Sequence, residues 1–282
     1  MALKTEKYVN FYTDFAFKRL FGSEINKELL MGFLNALLSE EQPIKDIQYL
    51  NSESVGNLEG DRRVYFDVLC INERGERFIV EMQQAEQHFF KDRALFYAAR
   101  AIQQQAVKGI WDFHLNKVYT ICILNFSFDK KNEKFYHHDV VLMEKNTKEV
   151  FYDKLEFIYL EMPKFNKKEN ELETLTDKWL YAIKNIAKLD TRPDSLQEKI
   201  FQRFFEAAEI AKFTRNEQHL YVESRKDRWD YENTMQYKYK EGKIEGKTEG
   251  KIEDAKGFKE HGVDIAVISA VTGLSIEEIE KL

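Results

Sequence analysis

The chain has 282 residues, 43% of them hydrophobic and 33% charged, with a net charge of −6. That balance describes a soluble globular protein with one sizeable core plus accessory parts. It excludes a disordered chain and a generally basic nucleic-acid coat, but leaves room for a local basic groove beside an acidic site. No run of about eighteen apolar residues occurs, so no membrane span is expected. The N-terminus lacks an apolar signal core, and the two cysteines, Cys70 and Cys122, fall in expected strands. Both observations suit a cytoplasmic, reducing setting.

In chain order, Leu29, Leu30, Phe33, Leu34, Leu37 and Leu38 recur at helical spacing and predict a helix over 24–39, which Pro43 prevents from continuing. Residues 44–50 read as a short strand. Residues 63–84 read as a β-hairpin, with Asp67 inside one apolar run and Glu81 inside the other. A loop of Glu73, Arg74 and Gly75 sets Asp67 opposite Glu81, because glycine suits the left-handed last position of a three-residue turn. Period-two alternation then places Asp67, Glu81 and Gln83 on one face. Buried carboxylates are costly unless paired or bound to a cation, and two side by side suit a hard divalent metal.

Residues 87–108 predict a long helix, and 118–128 a strand buried on both faces. Further strands are expected at 140–143 and 157–161, and helices at 168–188 and 195–235, with Trp179, Leu180, Ile183, Ile200 and Phe204 at core spacing. His137 and His138 are adjacent in an extended segment, so they face opposite ways and do not share a metal.

In the 87–108 helix, Arg93, Tyr97, Arg100 and Gln104 fall on one stripe. It reads either as a phosphate-contacting face or as an ordinary solvated one. Asp14 reads either as an upstream acid beside the metal or as a helix N-terminal acid paired with Lys18. Residues 221–240 mix basic and aromatic side chains, which could track single-stranded nucleic acid or simply pack.

Residues 239–256 repeat Gly-Lys-x-Glu, with Gly242, Gly246 and Gly250. Each glycine costs a helix about 1 kcal/mol relative to alanine, and like charges stack at i, i+4. The readings are a weak antiparallel or dimeric helical linker, giving a homodimer through this helix, or a solvated frayed helix. In the tail, Gly273 ends one helix and Ser275 with Glu278 caps the next, a helix-turn-helix pair. The acids Glu277, Glu278 and Glu280 favour packing or oligomerisation over base reading.

The order helix, three strands, helix, strand, with Asp67 and then Glu81-x-Gln83 across the hairpin, resembles the PD-(D/E)XK nuclease superfamily. The stretches Tyr8-Val-Asn-Phe-Tyr-Thr-Asp-Phe-Ala-Phe-Lys-Arg-Leu-Phe-Gly22, Phe66-Asp67, Val80-Glu-Met-Gln-Gln84 and Arg93 to Gln104 look more closely like the recombination-promoting nuclease, or PD-(D/E)XK nuclease family transposase, group. The resemblance covers roughly residues 8–240, and the repeat and tail are also similar to that group.

It implies an α/β, restriction-endonuclease-like αβββαβ core with a mixed sheet, followed by added strands and a helical C-terminal region. The expected division is a nuclease core over 1–165, a packed helical extension over 166–238, the repeat over 239–257 and the small tail over 258–282. It further implies a metal-dependent DNA endonuclease linked to recombination or mobile elements, with Asp67, Glu81 and the Met82 carbonyl holding Mg²⁺ or Mn²⁺ and DNA as the partner. Gln83 occupies the superfamily's usual lysine position. Glutamine can orient water but carries no charge. The competing expectation is a catalytically weak or inactive nuclease-fold module that binds DNA or protein.

Overall fold

In the computed structural model, residues 6–38, 43–51, 53–54, 64–107 and 109–282 are described. Ser39, Arg63 and Lys108, which end or begin expected elements, lie outside them. The hairpin forms as its turn chemistry dictates. Strands β4 (Val68–Asn72) and β5 (Arg77–Gln83) pair antiparallel, with Val68 opposite Val80 and Ile71 opposite Arg77. Asn72 N–H donates to the Glu76 carbonyl, and Gly75 N–H to the Asn72 carbonyl, both at 3.0 Å. Gly75 has φ +81°, the left-handed conformation the three-residue loop requires.

One expectation is corrected. Asp67 does not lie inside a strand: β4 begins at Val68, and Asp67 sits at a bend. The preceding strand β3 (Val64–Tyr65) pairs instead with β2 (Glu53–Ser54) as a separate ladder. Regular alternation would put Phe66 and Leu69 on opposite faces. Both join one apolar cluster, Phe66 meeting the Tyr97 ring edge-on at 5.3 Å. Burial of a phenylalanine thus outweighs continuation of the ladder.

The main sheet has the order β1-β4-β5-β6-β8-β7, with β1 Ile47–Tyr49, β6 Val118–Leu124, β7 His137–Met143 and β8 Val150–Glu161. The β5–β6 and β6–β8 pairs are parallel and the others antiparallel. β6 is buried at every position, as its largely apolar run predicts. β8 is longer than expected: it begins at Val150, and its first half, Val150-Phe151-Tyr152-Asp153-Lys154, is mostly exposed.

Helix α3 (Phe90–Gln103) is shorter than predicted. It connects β5 to β6 and buries Ala94, Ala98 and Ala101 against Ile79, Val118 and Cys122. Those small side chains let the helix lie close to the sheet. The other face carries α1 (Asp14–Phe21), α2 (Lys27–Leu38), α4 (Leu175–Asn185) and α5 (Lys199–Ala208) around Phe11, Phe21, Phe33, Trp179 and Phe204, all buried.

The expected 195–235 helix is two helices. After α5 the chain extends, and Tyr8 bridges Glu209, with Val9 N–H donating to the Ala208 carbonyl at 3.0 Å. Helix α6 (Arg215–Glu260) then starts on a reciprocal cap: Thr214 N–H donates to Glu217 Oε2 at 2.8 Å and Glu217 N–H to Thr214 Oγ1 at 3.2 Å. By contacts the chain divides into two units, Met1–Ser224 and Arg225–Leu282. In the second, α7 (Ile265–Thr272) ends on Gly273 at φ +70° and α8 (Ile276–Glu280) starts on the Ser275–Glu278 capping box, as predicted. Ala255, Ile268 and Ile279 form its small core.

Gly75→Val is expected to destabilise the protein. It forces an L side chain into the left-handed region, at about 1–2 kcal/mol, and its Cβ would lie 2.8 Å from Asn116 Nδ2. Urea unfolding followed by circular dichroism should show a lowered midpoint with an unchanged slope.

Candidate metal centre

Phe78, Ile79 and Val80 are fully buried, so β5 is held rigidly where it carries Glu81 and Gln83 into the same face as Ile79. Glu81 is 4% exposed and Gln83 5%. Extending the hairpin register by one residue sets Asp67 opposite Glu81. There the two carboxylates replace the ladder: Asp67 N–H donates to Glu81 Oε1 at 3.1 Å, and Met82 N–H donates to Asp67 Oδ2 at 2.9 Å. Each acid spends one oxygen on backbone. Asp67 Oδ1 and Glu81 Oε2 have no hydrogen-bond partner among the described residues.

Burial, and then the Asp67 charge beside it, hold the Glu81 carboxyl well above the usual carboxylate range. Burial raises Asp67 too, opposed by the Met82 N–H. Arg93 and Lys18 pull both acids down, and Asp14 pushes Asp67 up. Thus α1, the hairpin and α3 bring their charges around one carboxylate pair. Asp14 also pairs with Lys18 at 2.8 Å, the i, i+4 pair of its helix-terminal reading. Thr13 Oγ1 caps the helix that carries them.

The α3 stripe divides. Arg93 stands beside the acids, its Nη1 donating to Gln87 Oε1 at 2.6 Å and its guanidinium 5.9 Å from the Tyr97 ring. Arg100 donates to Gln103 at 2.6 Å. Gln104, beyond the end of the helix, accepts from Arg77 at 3.3 Å. Arg77 opens β5 and Gln83 closes it, a separation of roughly 20 Å at strand rise, so Gln104 lies toward the far end from the acids.

Three polar atoms are buried here without a partner: Gln83 Oε1, Arg93 Nε and Thr120 Oγ1. Thr120 is opposite Ile79 on β6, on the same face. Sequence reasoning missed Thr120 because it interrupts an otherwise apolar strand with a residue common in strands. It missed Gln87 because nothing periodic links that residue to Arg93.

An orphaned acceptor beside two oxygen donors with raised proton affinity fits a hard cation with bound water, and an orphaned guanidinium N–H fits an anion. Among the described residues, no group of three or more His, Cys, Asp or Glu side chains converges to hold a metal. Two carboxylates plus a backbone carbonyl suit Mg²⁺, which keeps several waters and borrows substrate phosphate oxygens. The histidines go elsewhere: His137 Nε2 is 2.9 Å from Asp139, and His138 Nε2 is 2.6 Å from buried Glu161, which also holds Lys164 at 2.9 Å.

A mixed sheet flanked by helices, with acids at the edge of its central hairpin, is the PD-(D/E)XK type of α/β nuclease fold. The chain belongs to the PD-(D/E)XK nuclease family transposase family, whose model matches residues 11–238. No curated protein and no solved structure matches it. Among the described residues, no helix is long and apolar enough to cross a membrane.

The raised carboxyls set a pH dependence. Folded Glu81 binds its proton more tightly than the unfolded chain does. The penalty is therefore absent below the ordinary carboxylate pKa of about 4 and grows as pH rises through the folded value, so the metal-free protein loses stability in that direction. Glu81→Gln should flatten this slope and raise the neutral-pH melting temperature in chelator. Thermal melts from about pH 4 to about pH 8 measure both effects.

Proposed function

We propose that the protein is a divalent-metal-dependent DNA endonuclease that hydrolyses phosphodiester bonds in recombination or mobile-element processes. The observation that carries this reading is the interlocked pair Asp67 and Glu81, each bonded to the other strand's backbone, with the charge of Arg93 acting on both and its Nε buried without a partner. Asp67, Glu81 and the Met82 carbonyl would hold Mg²⁺, with Mn²⁺ as an alternative. When bound, the cation would polarise a phosphate oxygen and lower the pKa of an attacking water.

The side chains supply the rest. Gln83 Oε1 accepts a hydrogen bond from that water and orients it. Arg93 donates to a phosphate oxygen, steadied by Gln87 and by the Tyr97 ring. Lys18, one turn from Asp14, adds positive charge where the phosphate carries negative charge. Arg100 lies further along the same helix face, where it can contact the flanking backbone.

A second reading rests on Gln83. With no cation at that position, transition-state charge is left to the metal and Arg93, and a weak or inactive nuclease fold that only binds DNA or protein is the competitor. Purified protein incubated with supercoiled plasmid in Mg²⁺, and in chelator, separates the two. Cutting in Mg²⁺ alone, lowered at least about a hundredfold by Asp67→Ala or Glu81→Ala with circular dichroism unchanged, is the expected result. Plasmid retention with no metal-stimulated cutting supports the binding module instead. Cutting that survives both substitutions removes the assigned site. A parallel RNA substrate tests whether the sugar matters.

A further inference from the structure

Within the second unit, the glycine repeat of α6 is a helical stretch that its own sequence does little to support. The four-residue repeat gives Lys243, Glu245, Lys247 and Glu249 no oppositely charged neighbour at i±3 or i±4; at i±4 they meet like charges or uncharged residues. Among the described residues none of these four side chains makes an ion pair or hydrogen bond. Arg228–Glu232 and Lys238–Glu241 support α6 up to the start of the repeat, but a polar stretch without internal charge pairs and interrupted by glycines needs an external partner.

The geometry points to a second copy of this chain, paired in parallel and in register along one face of α6. At 100° per residue, Tyr231, Met235, Tyr239, Gly242, Gly246 and Gly250 fall within an arc of about 100°. The first three are exposed, and nothing lies within 4 Å of a Cβ built on any of the three glycines. The tail does not cover this face: Ala255, which Ile268 and Ile279 bury, is nine residues beyond Gly246 and so about half a turn away round the helix.

Charge chooses both partner and direction. The glutamate row lies on one flank of the face and the lysine row on the other. A two-fold axis along the helices brings the lysine flank of each copy against the glutamate flank of the other. Lys247 then stands level between Glu245 and Glu249 of the second copy, about 3 Å of rise from each. A two-fold axis across the helices does the reverse, setting lysine on lysine and glutamate on glutamate. The antiparallel linker that the repeat alone allowed is therefore disfavoured. The glycines let the axes approach closely, which shortens the charge pairs on both flanks. In both copies the polypeptide enters the pair from the same end.

The test uses the full chain. Sedimentation should give a dimer. Gly242→Cys and Gly250→Cys should each form a disulfide-linked dimer on mild oxidation, with the unsubstituted protein, whose Cys70 and Cys122 are buried, as the blank. Reversing Lys243, Lys247 and Lys251 to Glu should weaken association about tenfold or more, and mixing that variant with one carrying Glu241, Glu245 and Glu249 reversed to Lys should restore it. A monomer, a dimer that neither cysteine cross-links, or charge reversal without effect overturns the pairing. Cross-linking only when the two cysteine variants are mixed overturns its direction. Helix content by circular dichroism, and plasmid cutting at a site remote in sequence, report whether each variant is folded.

Discussion

The chain leaves the hairpin ladder at Asp67, and two carboxylates take over the hydrogen bonds that the ladder gives up. Asp67 N–H donates to Glu81, and Met82 N–H donates to Asp67. This exchange fixes the spacing of the acids through backbone rather than through long side chains. It also keeps both in a place where burial opposes their ionisation. A buried acid pair without a cation is an unfavourable element that the rest of the fold must carry.

The fold carries it by making β5 immovable. The strand is paired on both sides, to β4 and to β6, and its apolar residues are buried on both faces. On one face the alanines of α3 allow the helix to lie close, which brings Arg93 beside the acids. On the other, the cluster around Phe11, Phe21, Phe33 and Trp179 holds α1, and with it Asp14 and Lys18. A loop could not hold two like charges at this separation. A three-residue turn with a left-handed glycine can, because the register it sets has no slack.

The first unit and the second obey different rules. The core of the first is aromatic and dense. The second is a charged helix with a three-residue apolar core under its tail. Its repeat becomes intelligible when its charges are matched against another helix rather than along its own. The parallel arrangement we propose follows from the order of glutamate, glycine and lysine round the helix, a property of handedness and not of composition.

Much of this was readable in the residues. The turn at Gly75, the facing of Asp67 and Glu81, the burial of residues 118–124 and the caps at Gly273 and Ser275 depend on contacts within a few positions or on strict alternation, and local chemistry decides them. Other features depend on which distant surfaces meet. Phe66 abandons its strand because α3 offers it a buried site. The 195–235 helix breaks because the N-terminal segment pairs with Glu209. Arg93 joins the acids while Gln104 turns to Arg77, although one helical stripe holds both. The sequence by itself determined the acids, their register and the elements that bear them, since those follow from period and turn. Only the tertiary structure decided which charges surround the pair, because that depends on packing between segments far apart in the chain.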